Sequence, residues 1–111
     1  MQRFLKWDII LLYKPTKELA MNEQQFDDFC QFARNLVGTK NYTIDIAPGN
    51  KFMKLIKTQG DHHSVWCFVD KSTGEIFKPA SFKAPAKHAR GNVADPDSYK
   101  GYSWTGPPYL V

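Results

Sequence analysis

A chain of 111 residues and 12.8 kDa suits one domain, perhaps extended by a tail, and can build a core without a metal or disulfide staple. With 42% hydrophobic, 14% aromatic and 23% charged residues it is not a disordered chain, and no apolar run nears the ~20 residues of a membrane-spanning helix. The net charge of +4 is small, so its placement says more than its size.

Residues 4–13 are apolar but interrupted by Lys6 and Asp8. No small-residue cleavage pattern follows, so the segment does not read as a signal peptide. It reads as a short helix or a strand that Pro15 ends. Residues 22–37 carry the clearest helical pattern. Asn22 is a good N-cap and Gln25 completes a capping-box-like pair. Phe26, Phe29, Cys30, Ala33, Leu36 and Val37 recur on one face, and Gly38 can take the left-handed conformation that ends a helix. Glu23, Asp27 and Asp28 lie in the first turns, where the helix dipole favours acids.

After Gly38 the period becomes two. Tyr42, Ile44 and Ile46 alternate with Thr43 and Asp45 as a half-buried strand does. Pro48-Gly49-Asn50 is turn chemistry, and a second strand runs from Lys51 to about Thr58. After a turn at 59–61, His62 to Val69 is the strongest strand. Its alternation puts Val65, Cys67 and Val69 on one face and Trp66 and Phe68 on the other, both of them apolar and therefore covered. A loop at 71–74 and a strand at 75–78 follow. Pro79 and Pro85 belong on loops or edges, and a short strand fits at 91–93. Residues 94–111, with Tyr99, Tyr102, Trp104 and Tyr109 among prolines and glycines, read as an ordered arm that packs on the body or on a neighbour. The fold class expected is mainly β with an N-terminal α-helix: a strongly bent five-stranded antiparallel sheet or a small barrel, with a helix-plus-barrel domain over 1–93 and the arm over 94–111.

Residues 1–77 balance 10 Lys/Arg against 9 Asp/Glu, and residues 91–111 hold Lys100 against Asp95 and Asp97. The window 78–90 holds Lys78, Lys83, Lys87 and Arg90 with no acid, and so equals the whole excess. Cationic tips on one loop are what phosphate binding needs. Lys78, Lys83, Lys87, His88 and Arg90 supply them, and Phe82 can stack a base beside them. The other reading is a solvated loop that aids solubility.

The stretch from Ser64 to Asn92, SVWCFVDKSTGEIFKPASFKAPAKHARGN, resembles a family of small proteins from marine metagenomes and cyanophages. That family is associated with an Sm-like fold, a helix on a bent five-stranded barrel. Arg90-Gly91-Asn92-Val93 resembles the signature of the second Sm motif. Asp70 sits where the first Sm motif has its Asp, while Gly74, four residues on, stands where Sm proteins have a base-contacting Asn. The resemblance implies a non-enzymatic nucleic-acid-binding protein, for RNA or single-stranded DNA, in phage RNA or DNA processing. It further implies a homo-oligomeric ring of about five to seven subunits, whose pore is lined by the Arg-Gly loop and by a second loop carrying Asp70 and Lys71. For Asp70 the plainer reading is a turn carboxylate bonded to its own backbone.

Other chemistry is weakly supported. Asp61-His62-His63 resembles a phosphoesterase triplet, but the two histidines point to opposite strand faces and cannot clamp one metal. Cys30 and Cys67 lack partners at metal-ligand spacing and read as buried reduced thiols, so no metal and no cofactor are expected. The cysteines and the absence of a leader or apolar span point to a cytoplasmic protein without a membrane partner. The first alternative function is a phage structural or adaptor protein that uses the barrel as an interaction platform. The second is a small nuclease using Asp70, Glu75 and His88 with a divalent metal.

Overall fold

The computed structural model describes residues 21–108, so the reading of residues 4–13 and the place of Tyr109 lie outside the described residues. One helix, α1 (Glu23–Gly38), opens the described chain. The Asn22 side chain accepts the Gln25 amide at 3.1 Å, the N-cap bond that the sequence predicts. Phe26, Phe29, Cys30, Ala33 and Val37 form its buried face. The helix ends differently from expectation. Gly38 is its last residue, Thr39 caps it by donating its hydroxyl to the Leu36 carbonyl at 2.7 Å, and the left-handed position falls on Asn41 with φ 65°.

Five strands follow: β1 (Thr43–Pro48), β2 (Phe52–Gln59), β3 (His62–Asp70), β4 (Glu75–Phe77) and β5 (Gly91–Asn92). They pair antiparallel in chain order as one five-stranded sheet. Of the two forms expected, bent sheet or barrel, it takes the open one: β1 pairs only with β2, and β5 only with β4, among the described strands. With only two residues, β5 has too few ladder bonds to close a cylinder.

A bulge decides which side chains reach the core. Leu55 pairs with Cys67 but Ile56 pairs with Val65, which leaves Trp66 as the extra residue. Strict alternation would send Trp66 and Cys67 to opposite faces. The bulge instead puts both in the core beneath α1, with Trp66 fully buried and 5.9 Å from Phe29, centroid to centroid. Val65 is displaced from the core and stays half-buried opposite Ile56. Leu55, Val69 and Ile76 complete the sheet side of the core. Full burial of each such side chain contributes about 1.5–3 kcal/mol. Cys30 and Cys67 are free thiols in this core. Burial pushes the Cys30 thiol up to about 12 and Cys67 well above its ordinary value, so both stay protonated at neutral pH.

The C-terminal arm packs on the body. Tyr99 and Tyr102 are buried in the main core, with Tyr99 4.7 Å edge-on to Phe29. The Trp66 indole N–H donates to the Trp104 carbonyl at 2.9 Å. Gly106, at φ 118°, lies where a Cβ would stand 2.8 Å from the Trp66 carbonyl oxygen, so the arm approaches β3 as closely as only glycine permits. Among the described residues no helix is long and apolar enough to cross a membrane.

Candidate nucleic-acid interface

The basic window does not act as one surface. Lys78 is half-buried, and its ammonium donates to the Pro107 carbonyl at 2.9 Å. Burial, with Arg90 close by, lowers its pKa from the ordinary lysine value. Arg90 donates through Nε to the Pro108 carbonyl at 3.1 Å and through Nη1 to the carbonyls of Lys87 (2.7 Å) and His88. These two cations are therefore engaged in tying the arm and the 87–88 turn to the sheet. Lys87 and His88 are exposed, and His88 takes the left-handed conformation, φ 71°. With its carbonyl bound to Arg90, that residue is a turn corner.

The Asp70 carboxylate is 6% exposed. Its Oδ1 accepts the Ser72 amide at 2.8 Å, the Ser72 hydroxyl at 2.7 Å and the Thr73 amide at 3.2 Å. This is the turn carboxylate of the plainer reading, with its Oδ1 bonded within the turn. Burial alone would push the carboxyl up. The Ser72 and Thr73 bonds, with the Lys51 charge nearby, outweigh burial and hold it below the ordinary value. A lowered folded-state pKa adds stability above the unfolded value, and that stability is lost as pH falls through the folded value. We predict that acid titration of unfolding free energy between pH 5 and 2 is flatter in Asp70→Asn than in wild type. Parallel curves would contradict this.

Lys71 is exposed, but its ammonium donates to the Gly49 carbonyl at 2.8 Å and fixes the β1–β2 turn. The two motif-like stretches do lie side by side. The Val93 amide donates to the Gly74 carbonyl at 2.9 Å, and the Asn92 side chain donates to the Thr73 carbonyl at 3.0 Å. Gly74 sits at φ 80°, and a Cβ there would meet Asn92 and Val93 at 3.0 Å. An Asn at 74 would be strained.

Phe82 and Lys83 go elsewhere, to the sheet face turned away from α1. They sit at the tip of a turn closed by its own bonds: the Ala80 amide donates to the Ala84 carbonyl at 2.9 Å, and the Ser81 hydroxyl accepts the Lys83 and Ala84 amides. Pro79 and Pro85 face each other across its base. Phe82 is 49% exposed, the one large hydrophobe that stands out among the described residues. Beneath it lies Lys54 of β2, with its Nζ 4.4 Å from the Phe82 ring centroid and 5.7 Å from that of Phe68. Phe68 pairs with Lys54 on one side and Phe77 on the other. Phe52 packs edge-on against both phenylalanines at 5.8 Å, and Lys51 lies over Phe52 at 5.4 Å. Between this turn and the β1–β2 turn opens a cleft of about 280 Å³, lined by Pro48, Asn50, Phe52, Lys54, Phe68 and Lys83.

Lys51, Lys54 and Lys83 have no carboxylate within 4.0 Å among the described residues, where the only ion pair is Lys100–Asp97. Three ammoniums, none ion-paired among the described residues, beside the partly exposed rings of Phe52, Phe77 and Phe82 form a surface that attracts phosphate and offers π-faces to bases, with Phe68 buried beneath them. Lys51, Lys54, Phe52 and Phe68 were missed by counting charge along the chain. The signal for them is parity: Phe52, Lys54 and Phe68 fall on the second face of their strands, opposite Met53, Leu55 and Cys67.

Among the described residues no group of three or more His, Cys, Asp or Glu could hold a metal ion. Of the residues a nuclease would use, the Glu75 carboxylate accepts the Thr73 hydroxyl at 3.2 Å and Asp70 is enclosed in its turn. His62 and His63 are exposed on β3, and His63 Nδ1 is 3.1 Å from the Thr58 hydroxyl.

Residues 4–110 match a family of unknown function, DUF7717. No curated protein and no solved structure matches the chain.

Proposed function

The chain belongs to the DUF7717 family, and for this member we propose binding of single-stranded nucleic acid, RNA or DNA, through the sheet face that carries Phe82. One observation carries the reading: the Lys54 ammonium lies between Phe82 and Phe68 with Lys51 and Lys83 beside it, and none of the three has a carboxylate within 4.0 Å among the described residues. Phosphates neutralise the lysines while a splayed base stacks on Phe82. Duplex is a poor fit, because its bases are already stacked on one another and cannot reach a ring. The action is binding, without catalysis.

We propose further that the helix and open sheet follow an Sm-like plan and that copies join in a homo-oligomeric ring of about five to seven subunits. Support for association comes from β1, whose outer edge is unpaired by any described strand, whereas the outward amide and carbonyl of Asn92 in β5 are bonded to Ser98 and Asp95. Pairing with a neighbouring copy would satisfy the β1 edge, and closing the circle through β5 would require the Ser98 bonds to Asn92 to give way. Phage RNA or DNA processing in the infected cell is the setting that the sequence resemblance suggests. Half-exposed Ile56, Val65 and Phe77 on the same sheet face favour the second reading, an adaptor that docks a protein there.

Native mass spectrometry with and without a 12-mer of oligo(dT) or oligo(U) separates these readings. A closed assembly with bound oligonucleotide is expected. A monomer with bound oligonucleotide would remove the ring and leave the binding. No bound oligonucleotide at low salt would leave the adaptor.

A further inference from the structure

A second cation-aromatic cluster lies on the other side of the sheet, and nothing above uses it. Lys57 pairs with Ile44, whose side chain is in the core, so it shares the face that α1 covers, whereas Lys54 pairs with Ala47 and Phe68 on the opposite face. Lys57 stands beyond the C-terminal end of α1. There its Nζ lies 4.8 Å from the Tyr42 ring centroid and 4.6 Å from that of Trp104. The two rings lie 5.9 Å apart at an interplanar angle of 19° and form one platform. Lys40 reaches the same Trp104 ring at 5.8 Å.

The platform is built from three parts of the chain, each held by its own bonds. The Tyr42 amide donates to the Val37 carbonyl at 3.1 Å. The Gln59 side chain donates to the Lys40 and Asn41 carbonyls at 2.9 and 3.3 Å. The Trp104 carbonyl holds the Trp66 indole. Neither Lys40 nor Lys57 has a carboxylate within 4.0 Å among the described residues. Burial lowers the Lys57 pKa, which marks an ammonium partly stripped of water, with no carboxylate among the described residues close enough to pair with it. An oxyanion there would restore what burial removes.

We propose that Lys57 and Lys40, over the Tyr42–Trp104 platform, form a second contact for a phosphate of single-stranded nucleic acid, on the opposite sheet face from the Lys54–Phe82 cleft. The inference rests on the nucleic-acid reading above and extends it. The two lysines of β2 are three residues apart, about 10 Å along the strand.

The test uses the full chain with oligo(dT) 12-mer, comparing wild type, Phe82→Ala and the double variant Lys40→Met/Lys57→Met. Methionine keeps an apolar stem over the rings and removes the charge. Binding is read by anisotropy across a salt series and by tryptophan fluorescence, with Trp104→Phe assigning the signal. In the double variant the log–log salt slope should be shallower by about 0.7, one phosphate contact's worth, and affinity roughly tenfold weaker at low salt. The Trp104 fluorescence response should vanish in the double variant and persist in Phe82→Ala. Wild-type slope and affinity in the double variant, with Phe82→Ala weakened, would overturn this inference alone. No binding by wild type would overturn it together with the nucleic-acid reading.

Discussion

Replacing Lys54 and Phe82 together by alanine should weaken binding of a single-stranded 12-mer by roughly 100-fold at low salt. Loss of base stacking on one aromatic ring costs ~1–3 kcal/mol, and loss of one phosphate contact adds to it. The effect divides in a recognisable way. Phe82→Ala lowers affinity and leaves the salt slope in place, because it removes a π-face and no charge. Lys54→Ala makes the slope shallower by about 0.7, one contact's worth for a single strand. Folding should hardly change, since Phe82 is 49% exposed and its removal opens no cavity. Fluorescence anisotropy over a salt series, with a thermal melt of each variant, reads all of this. Wild-type affinity in the double variant would place the interface elsewhere. In contrast, Lys78→Ala and Arg90→Ala should cost stability more than affinity, because their heads hold the Pro107 and Pro108 carbonyls.

Cutting the chain after Val93 should abolish cooperative folding. The arm supplies Tyr99 and Tyr102 to the core against Phe29 and Trp66, and Trp104 supplies the acceptor for the Trp66 indole. Losing a large buried aromatic costs about 3–5 kcal/mol. Two of them equal or exceed the stability of many domains, ~5–15 kcal/mol. The orphaned indole N–H adds about 1–3 kcal/mol. Circular dichroism of residues 1–93 should show little ordered β-structure and no cooperative melt. A truncated chain melting near the full chain's temperature would show that the arm is dispensable. Removal of the arm is thus a test of folding and does not isolate its part in assembly.

Much of the local structure was legible because it follows from short-range rules. The Asn22 cap, the α1 core face and the turns around Gly49, Gly60 and Gly74 sit where propensity and periodicity put them. Three features were not legible. The bulge opposite Leu55 and Ile56 turns Trp66 toward the core, and no alternation rule announces an extra residue. The helix stop moved from Gly38 to Thr39 and Asn41, since a hydroxyl bond to Leu36 replaces the glycine cap. The basic window was counted correctly but its geometry was not. Lys78 and Arg90 find carbonyl partners 29 and 18 residues away, contacts that only the folded chain creates. Two of the window's residues, Phe82 and Lys83, reach the interface, and β2 brings the lysine that completes it.

The most direct test of the sheet-face interface is an NMR titration of the isotopically labelled full chain with oligo(dT). Lys51, Phe52, Lys54, Phe68, Phe82 and Lys83 should carry the largest shift changes at low salt, and they should return toward their free positions as salt rises. Changes confined to Lys87, His88 and Arg90, or no change at any residue, would contradict the account.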